Sequence, residues 1–261
     1  MKKQLIELEK IIEWFPDILA IHTRYVKKNR YKIDGKLKEK YIGPLAKKHK
    51  YSPKEEIENI YFKAILINAF YSTMMGANLV YQVANHLLKK QSFIDKIINK
   101  GNLKGLNKEE INNFFKPSKK ISTKTREYKP YSFLTKYISI HSQMRSRNRK
   151  SSRFPIYDGY IDLILKNSDL GFLDIKKITG HNLETYTTLY DVTNKLLKRI
   201  NQFHSWKISF SDLDHILWTI GKGIFKNPHP KAPNRIVKIK EIKKTSKKDF
   251  LRKIEEGLGL R

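Results

Sequence analysis

The sequence contains no cysteine, which excludes disulfide bonds, catalytic thiolates and zinc sites with cysteine ligands. It also lacks any apolar run near the roughly 18 residues that cross a membrane. The N-terminal stretch 1–15 carries acidic residues among its apolar positions and has no small-residue cleavage motif, so we expect no signal peptide. These absences predict a soluble, cytoplasmic protein.

Several catalytic motifs are absent as well. There is no Gly-rich phosphate loop, no G-x-S-x-G elbow, no protein-kinase motif set and no HExxH. The eight histidines form no i,i+4 pair. Asp212, Asp214 and His215 lie close together near a helix start, where capping and the helix dipole are the better explanation. We therefore expect no metal and no organic cofactor.

Positive charge dominates the composition, with 54 Lys and Arg against 25 Asp and Glu and a formal net charge of +29. Disordered basic tails lack aromatic residues, whereas 11% of this chain is aromatic, so it should fold. A folded body of such charge favours a polyanionic partner, and we expect double-stranded DNA, bound by a monomer near the nucleoid. An anionic membrane surface is the weaker alternative, because no long basic amphipathic helix is evident.

Apolar residues recur at helical spacing through most of the chain, which predicts an all-α, multi-helix fold. We expect a body over 1–225, with two helical lobes and a DNA cleft between them, and a basic C-terminal tail over 226–261. Basic loops are expected at 24–50 and 145–153, and the one strand-like pattern lies at 235–242. The predicted helices span 4–20, 53–70, 79–88, 131–141, 154–165, 172–179, 182–203 and 211–225.

Two residues in the predicted helices are candidates for a catalytic role. Lys136 is the single charged residue of an apolar helix, and desolvation would favour its neutral, nucleophilic amine. Asp158 follows Pro155-Ile-Tyr and opens the next helix, whose N–H groups would keep the carboxylate ionised. The ordinary alternative is a lysine whose ammonium reaches solvent and an aspartate that only caps a helix.

These segments, Phe133-Leu-Thr-Lys136 and Phe154-Pro-Ile-Tyr-Asp158, resemble the catalytic core of the helix-hairpin-helix DNA glycosylases. The likeness is to the 8-oxoguanine glycosylases and especially their archaeal branch. In that superfamily a Lys in one helix is followed, after a loop, by a Pro-x-Asp that opens the next helix. Residues 60–90 are also similar to the family segment that wedges into DNA, and the resemblance covers roughly 60–165.

The resemblance implies a glycosylase that also acts as an abasic-site lyase. Lys136 would attack the anomeric carbon and form a Schiff base, and Asp158 would stabilise positive charge on the deoxyribose. Residues around Tyr71–Met74 would fill the gap left by the extruded nucleotide. The implied DNA contacts are Lys124, Arg126, Lys129, Arg145, Arg147, Arg149, Lys150, Arg153, Ser72, Thr73 and Met74, and the implied base pocket is His141, Tyr157, Phe203, Trp206 and Trp218.

One departure from the family pattern affects this interpretation. The family has a Gly-rich hairpin just before the lysine, whereas this chain has Glu127-Tyr-Lys-Pro-Tyr-Ser132, without glycine. Three alternatives therefore stay open: a non-catalytic nucleic-acid-binding protein, an RNA-directed nuclease, and a glycosylase used against phage DNA.

Overall fold

The structure of the protein is a computed structural model, and it is all-α, as the sequence predicts. It describes residues 7–28, 53–70, 75–115, 121–122, 127–128, 130–145, 153–169, 185–225 and 245–261. The helices and strands, in chain order, are α1 (Leu8–Glu13), α2 (Phe15–Lys28), α3 (Pro53–Phe70), α4 (Ala77–Lys89), α5 (Gln91–Lys100), α6 (Lys108–Phe115), β1 (Ile121–Ser122), β2 (Glu127–Tyr128), α7 (Tyr131–Arg145), α8 (Gly159–Lys166), α9 (Tyr186–His204), α10 (Phe210–Phe225) and α11 (Lys247–Gly257).

The chain divides into two compact units. The first unit comprises Met1–Tyr31, Tyr157–Glu184 and Thr188–Arg261, and the second comprises Lys32–Ile156 with Thr185–Thr187. Each unit is arranged around one helix. In the first unit α10 packs against α2, α8 and α11, and in the second unit α7 packs against α3, α5 and α6.

The N-terminal segment forms two helices where the sequence predicts one over 4–20. Pro16 explains the break, because it has no N–H to donate to the carbonyl of Ile12. That carbonyl instead lies 2.6 Å from Nε2 of His204, at the end of α9. The second helix then continues to Lys28, so residues 24–28 are helical and the expected basic loop is wrong over that stretch.

The C-terminal residues also differ from the expectation of an appendage. The helix α11 packs against α2 and α10, and its Phe250 and Ile254 are buried there. Glu255 is buried as well, and it pairs with Arg24 of α2 and with Arg261. Residues 245–261 thus belong to the first unit, because the apolar stripe of α11 completes its core.

The second unit contains a short antiparallel ladder between α6 and α7. It pairs Ile121 with Tyr128 and Ser122 with Glu127. These strands were not expected from the sequence, because two residues are too few for an alternating pattern. The expected helix at 172–179 and the strand-like pattern at 235–242 lie outside the described residues.

Two glycines set how closely α10 and α11 approach. A Cβ on Gly257 would overlap the backbone carbonyl of Gly223, and a Cβ on Gly223 would lie 2.9 Å from the Cα and O of Ile254. Backbone atoms cannot move aside as a flexible side chain can, so only glycine permits this crossing.

We predict that Gly257→Ala lowers the free energy of unfolding by about 3 kcal/mol or more, since it forces α11 away from α10. The measurement is urea denaturation followed by circular dichroism. Gly76→Ala is the control, because a Cβ there meets nothing within 4 Å, and it should cost less than about 1 kcal/mol. Equal losses in the two variants would contradict the close packing.

Candidate functional site

Lys136 lies in the most deeply buried helix of the second unit. The helix α7 follows Pro130, whose carbonyl accepts the N–H of Leu134 at 2.9 Å. Lys136 is only 8% exposed, and its helix neighbours Phe133 and Tyr137 are buried with it. The side chain as a whole is therefore largely removed from water.

Four more polar side chains of this helix are buried, namely Thr135, Ser139, His141 and Ser142. The hydroxyl of Thr135 donates to the carbonyl of Ser132 at 2.9 Å. Such bonds to the preceding turn let a hydroxyl enter a core without an unsatisfied donor. The buried polar residues make α7 unusual as a core helix, which is normally apolar all round.

His141 lies in this core at 2% exposure, and its ring stacks on Tyr137 with centroids 4.0 Å apart. Its Nδ1 lies 3.0 Å from the carbonyl of Tyr137, so Nδ1 carries the proton and donates. Its Nε2 is buried and, within the described residues, has no hydrogen-bond partner. Burial lowers the pKa of His141 well below 6.5, and the nearby charge of Lys63 lowers it further. The ring is therefore neutral at pH 7.

Asp158 lies in the first unit, directly before α8, and it is the N-cap of that helix, as the sequence predicts. Its Oδ1 accepts the N–H of Tyr160 at 2.8 Å and that of Ile161 at 2.9 Å. Two backbone donors and the helix dipole stabilise the carboxylate form. The segment 153–158 before it is not helical, so the expected helix from 154 begins at Gly159 instead.

Trp218 of α10 lies close to α8, within the first unit. Its ring centroid is 6.3 Å from that of Tyr160, edge to face, and 5.7 Å from that of Tyr25 on α2. The ammonium of Lys222, one turn further along α10, lies 4.6 Å from the Trp218 centroid and donates to the Tyr25 hydroxyl at 2.7 Å. We call Tyr25, Tyr160, Trp218 and Lys222 the aromatic–lysine cluster.

The approach of α8 to α10 in this cluster depends on Gly221, since a Cβ there would lie 2.5 Å from Cβ of Tyr160. Burial raises the pKa of the Tyr160 hydroxyl, and the charge of Asp158 adds to the effect. The cluster is therefore electrostatically linked to Asp158. Tyr25 and Lys222 were not among the residues predicted from the sequence, although the i,i+4 spacing of Trp218 and Lys222 was a usable signal.

Within the first unit, Trp206 and Trp218 of the predicted base pocket lie apart from each other. His141 belongs to the second unit, whereas Tyr157, Phe203, Trp206 and Trp218 belong to the first. Trp206 contacts Phe15, the first residue of α2, and Trp218 contacts Tyr25, ten residues later. At 1.5 Å per residue these positions are about 15 Å apart. Phe203 and Trp206 are 62% and 38% exposed at the far end from Trp218.

Most of the predicted DNA contacts lie outside the described residues, namely Lys124, Arg126, Lys129, Arg147, Arg149, Lys150, Ser72, Thr73 and Met74. Arg145 is described, and its position corrects the expectation of an exposed loop. It ends α7 with a side chain only 13% exposed, and its guanidinium pairs with Asp95 at 2.6 Å. Arg153 is exposed, and its side chain lies against Gly101 at the end of α5.

The acidic group near the start of α10 serves as a cap, as expected. Asp212 Oδ2 accepts from the N–H and the hydroxyl of Ser209, each at 2.8 Å. His215 stacks on His22 with ring centroids 4.6 Å apart. Among the described residues, no three His, Asp or Glu side chains are grouped as metal ligands. No helix in the described part combines the length and apolar character of a membrane span.

Comparison with known proteins gives one match. A family model described as the HI_0787_N N-terminal domain matches residues 21–145. The chain is similar to that family over this stretch, which is just under half of its length. The match includes Lys136 and ends with α7, before Asp158 and the aromatic–lysine cluster. No curated protein and no solved structure matches the chain.

The neutral state of His141 predicts a pH dependence of stability. The unfolded chain binds a proton at this histidine below about pH 6.5 and the folded chain does not, so acidification favours unfolding. The free energy of unfolding should fall as the pH drops from 7.5 to 5.5, by at most about 1.4 kcal/mol per pH unit for this group. His141→Phe should reduce the slope, and denaturant titrations at each pH measure it. His22 and His86, whose pKa values burial also lowers, would maintain a residual slope. Identical slopes in both proteins would refute the assignment.

The cap at Asp158 predicts different outcomes for two substitutions. Asp158→Ala removes the acceptor of two N–H groups and should cost about 1–2 kcal/mol of stability. Asp158→Asn keeps an acceptor oxygen in the same place and should cost about 0.5 kcal/mol. Thermal or urea unfolding distinguishes the two variants. If Asp158→Asn loses as much stability as Asp158→Ala, the charge of Asp158 matters for folding and the cap does not.

Proposed function

We propose that the protein is a DNA glycosylase with abasic-site lyase activity, whose nucleophile is Lys136 and whose electrostatic stabiliser is Asp158. The observation that carries the proposal is where these two residues are placed in their helices. Lys136 is buried in α7, and Asp158 caps α8 with two backbone donors. A desolvated amine favours its neutral, nucleophilic form, and a capped carboxylate keeps its charge.

The order of elements around Lys136 supports the same proposal. The helix α6, the short ladder of β1 and β2, and α7 follow one another where the resemblance places a helix, a hairpin and the lysine-bearing helix. The ladder lacks glycine, so its phosphate contact would depend on side chains, with Lys124, Arg126 and Lys129 as candidates. The net charge of +29 supports a polyanionic partner.

In the proposed reaction the amine of Lys136 attacks C1′ of an extruded deoxynucleotide. The Nζ–C1′ bond forms while the glycosidic bond breaks, and the proton lost from Nζ passes to the departing base. Asp158 stabilises the positive charge that develops on the sugar. Opening of the sugar ring gives a Schiff base, and loss of a C2′ proton then expels the 3′-phosphate. Oxidised guanine is the base that the resemblance implies, and a modified phage base would use the same chemistry.

The test is borohydride trapping on a duplex that contains 8-oxoguanine and on one that contains an abasic site, both in EDTA. Wild-type protein should give a covalent adduct, and proteolysis with mass spectrometry should place it on Lys136. Lys136→Gln should give none, whereas Lys104→Gln, an exposed lysine outside α7, should trap as wild type does. Asp158→Asn, which keeps the cap, should slow base release about 10²–10³-fold.

An adduct on another lysine would overturn the role of Lys136. DNA binding with no adduct on either substrate would favour the non-catalytic alternative. Degradation of RNA in the same buffer, with both duplexes left intact, would favour the nuclease.

A further inference from the structure

The basic residues of the first unit differ in whether an acid neutralises them. Arg24 pairs with Glu255, Lys166 pairs with Asp162 at 2.7 Å, and Lys247 pairs with Asp17 at 2.9 Å. Lys222 is half-buried on α10, and among the described residues it forms no ion pair with an acidic side chain. Its charge is therefore available to an anion from outside the chain.

The aromatic–lysine cluster orients this ammonium. The Tyr25 hydroxyl accepts one of its three N–H donors at 2.7 Å. The Trp218 ring centroid lies 4.6 Å from it, and an aromatic ring at this distance stabilises positive charge. A free lysine loses much side-chain entropy when it binds, whereas this one is already held in place. The remaining N–H donors suit an oxyanion.

The neighbourhood of the cluster suggests which oxyanion it binds. Gly221 brings α10 against Tyr160, and Tyr160 lies two residues after Asp158 and donates its backbone N–H to that carboxylate. One region of the first unit thus carries both the proposed stabiliser of the sugar charge and an oriented ammonium. In DNA, each deoxyribose is flanked by phosphates within the span of one nucleotide.

We infer that Lys222 binds a backbone phosphate next to the nucleotide on which Asp158 acts, with Tyr25 as the residue that positions the ammonium. This rests on the proposed function, which supplies both the DNA partner and the role of Asp158. The contact is to the phosphate, so it does not depend on base sequence or on damage.

Fluorescence anisotropy with a 25-base-pair undamaged duplex and the same duplex with an abasic site tests the inference. Lys222→Gln should weaken binding of both about five- to tenfold at 0.1 M salt and reduce the slope of log K against log[salt] by about 0.9. Lys222→Arg, which keeps the charge, should retain the wild-type slope. Tyr25→Phe should keep the slope and weaken binding about two- to threefold, because the ammonium is no longer held.

The matched control is Lys248→Gln, an exposed lysine of α11. If it changes affinity and slope as much as Lys222→Gln does, the contact at Lys222 is refuted and only the total charge matters. Unchanged binding by Lys222→Gln, with adduct formation at Lys136 intact, refutes this inference and leaves the proposed function standing. A wild-type protein that binds neither duplex refutes both. Unfolding midpoints of each variant separate binding defects from misfolding.

Discussion

Each unit of this protein depends on one helix that is largely buried, α10 in the first unit and α7 in the second. A polar side chain enclosed in such a helix costs stability unless hydrogen bonds satisfy it, because water is excluded. The two helices differ in what they bury. The helix α10 uses Gly221 and Gly223 to let α8 and α11 approach its backbone. The helix α7 instead keeps large side chains and encloses polar ones, including Lys136 and His141.

Buried polar groups in α7 reduce stability relative to an apolar helix, unless each is fully bonded. His141 shows the cost most clearly, because its Nε2 is buried without a partner among the described residues and its ring must stay neutral. Retaining such a group in a core is easier to understand if the region has a chemical role. That reasoning agrees with the proposal for Lys136, which lies five residues earlier on the same helix. The packing of α10, by contrast, places Trp218 and Lys222 at a half-exposed position where they can meet a ligand.

The local features of the fold could be predicted from the sequence. The all-α class, the buried apolar faces of α4 and α10 and the cap at Asp158 follow from residue spacing and from side-chain chemistry within one turn. The helix break at Trp14 could also have been predicted, since Pro16 removes a helical hydrogen bond. The apolar residues continue at helical spacing across the break, however, and this favoured the prediction of a single helix. The four-residue spacing of Phe250, Ile254 and Leu258 was a usable helix signal among the many charged residues, but only the tertiary structure shows which helices bury them.

The candidate functional residues also divide into features that the sequence predicts and features that depend on tertiary packing. Composition and spacing by themselves determined that the chain folds, that it is strongly basic, and that Lys136 lies in an apolar helix while Asp158 opens another. Only the tertiary structure decided which charges remain available: Arg145 is neutralised by Asp95 from fifty residues away, and Lys222 meets Tyr25 across 197 residues. It likewise separated Trp206 from Trp218, which the sequence had grouped in one pocket. The physical reason is that helical periodicity reports which face of a helix is buried, whereas ion pairs and ring contacts depend on which distant helix covers that face.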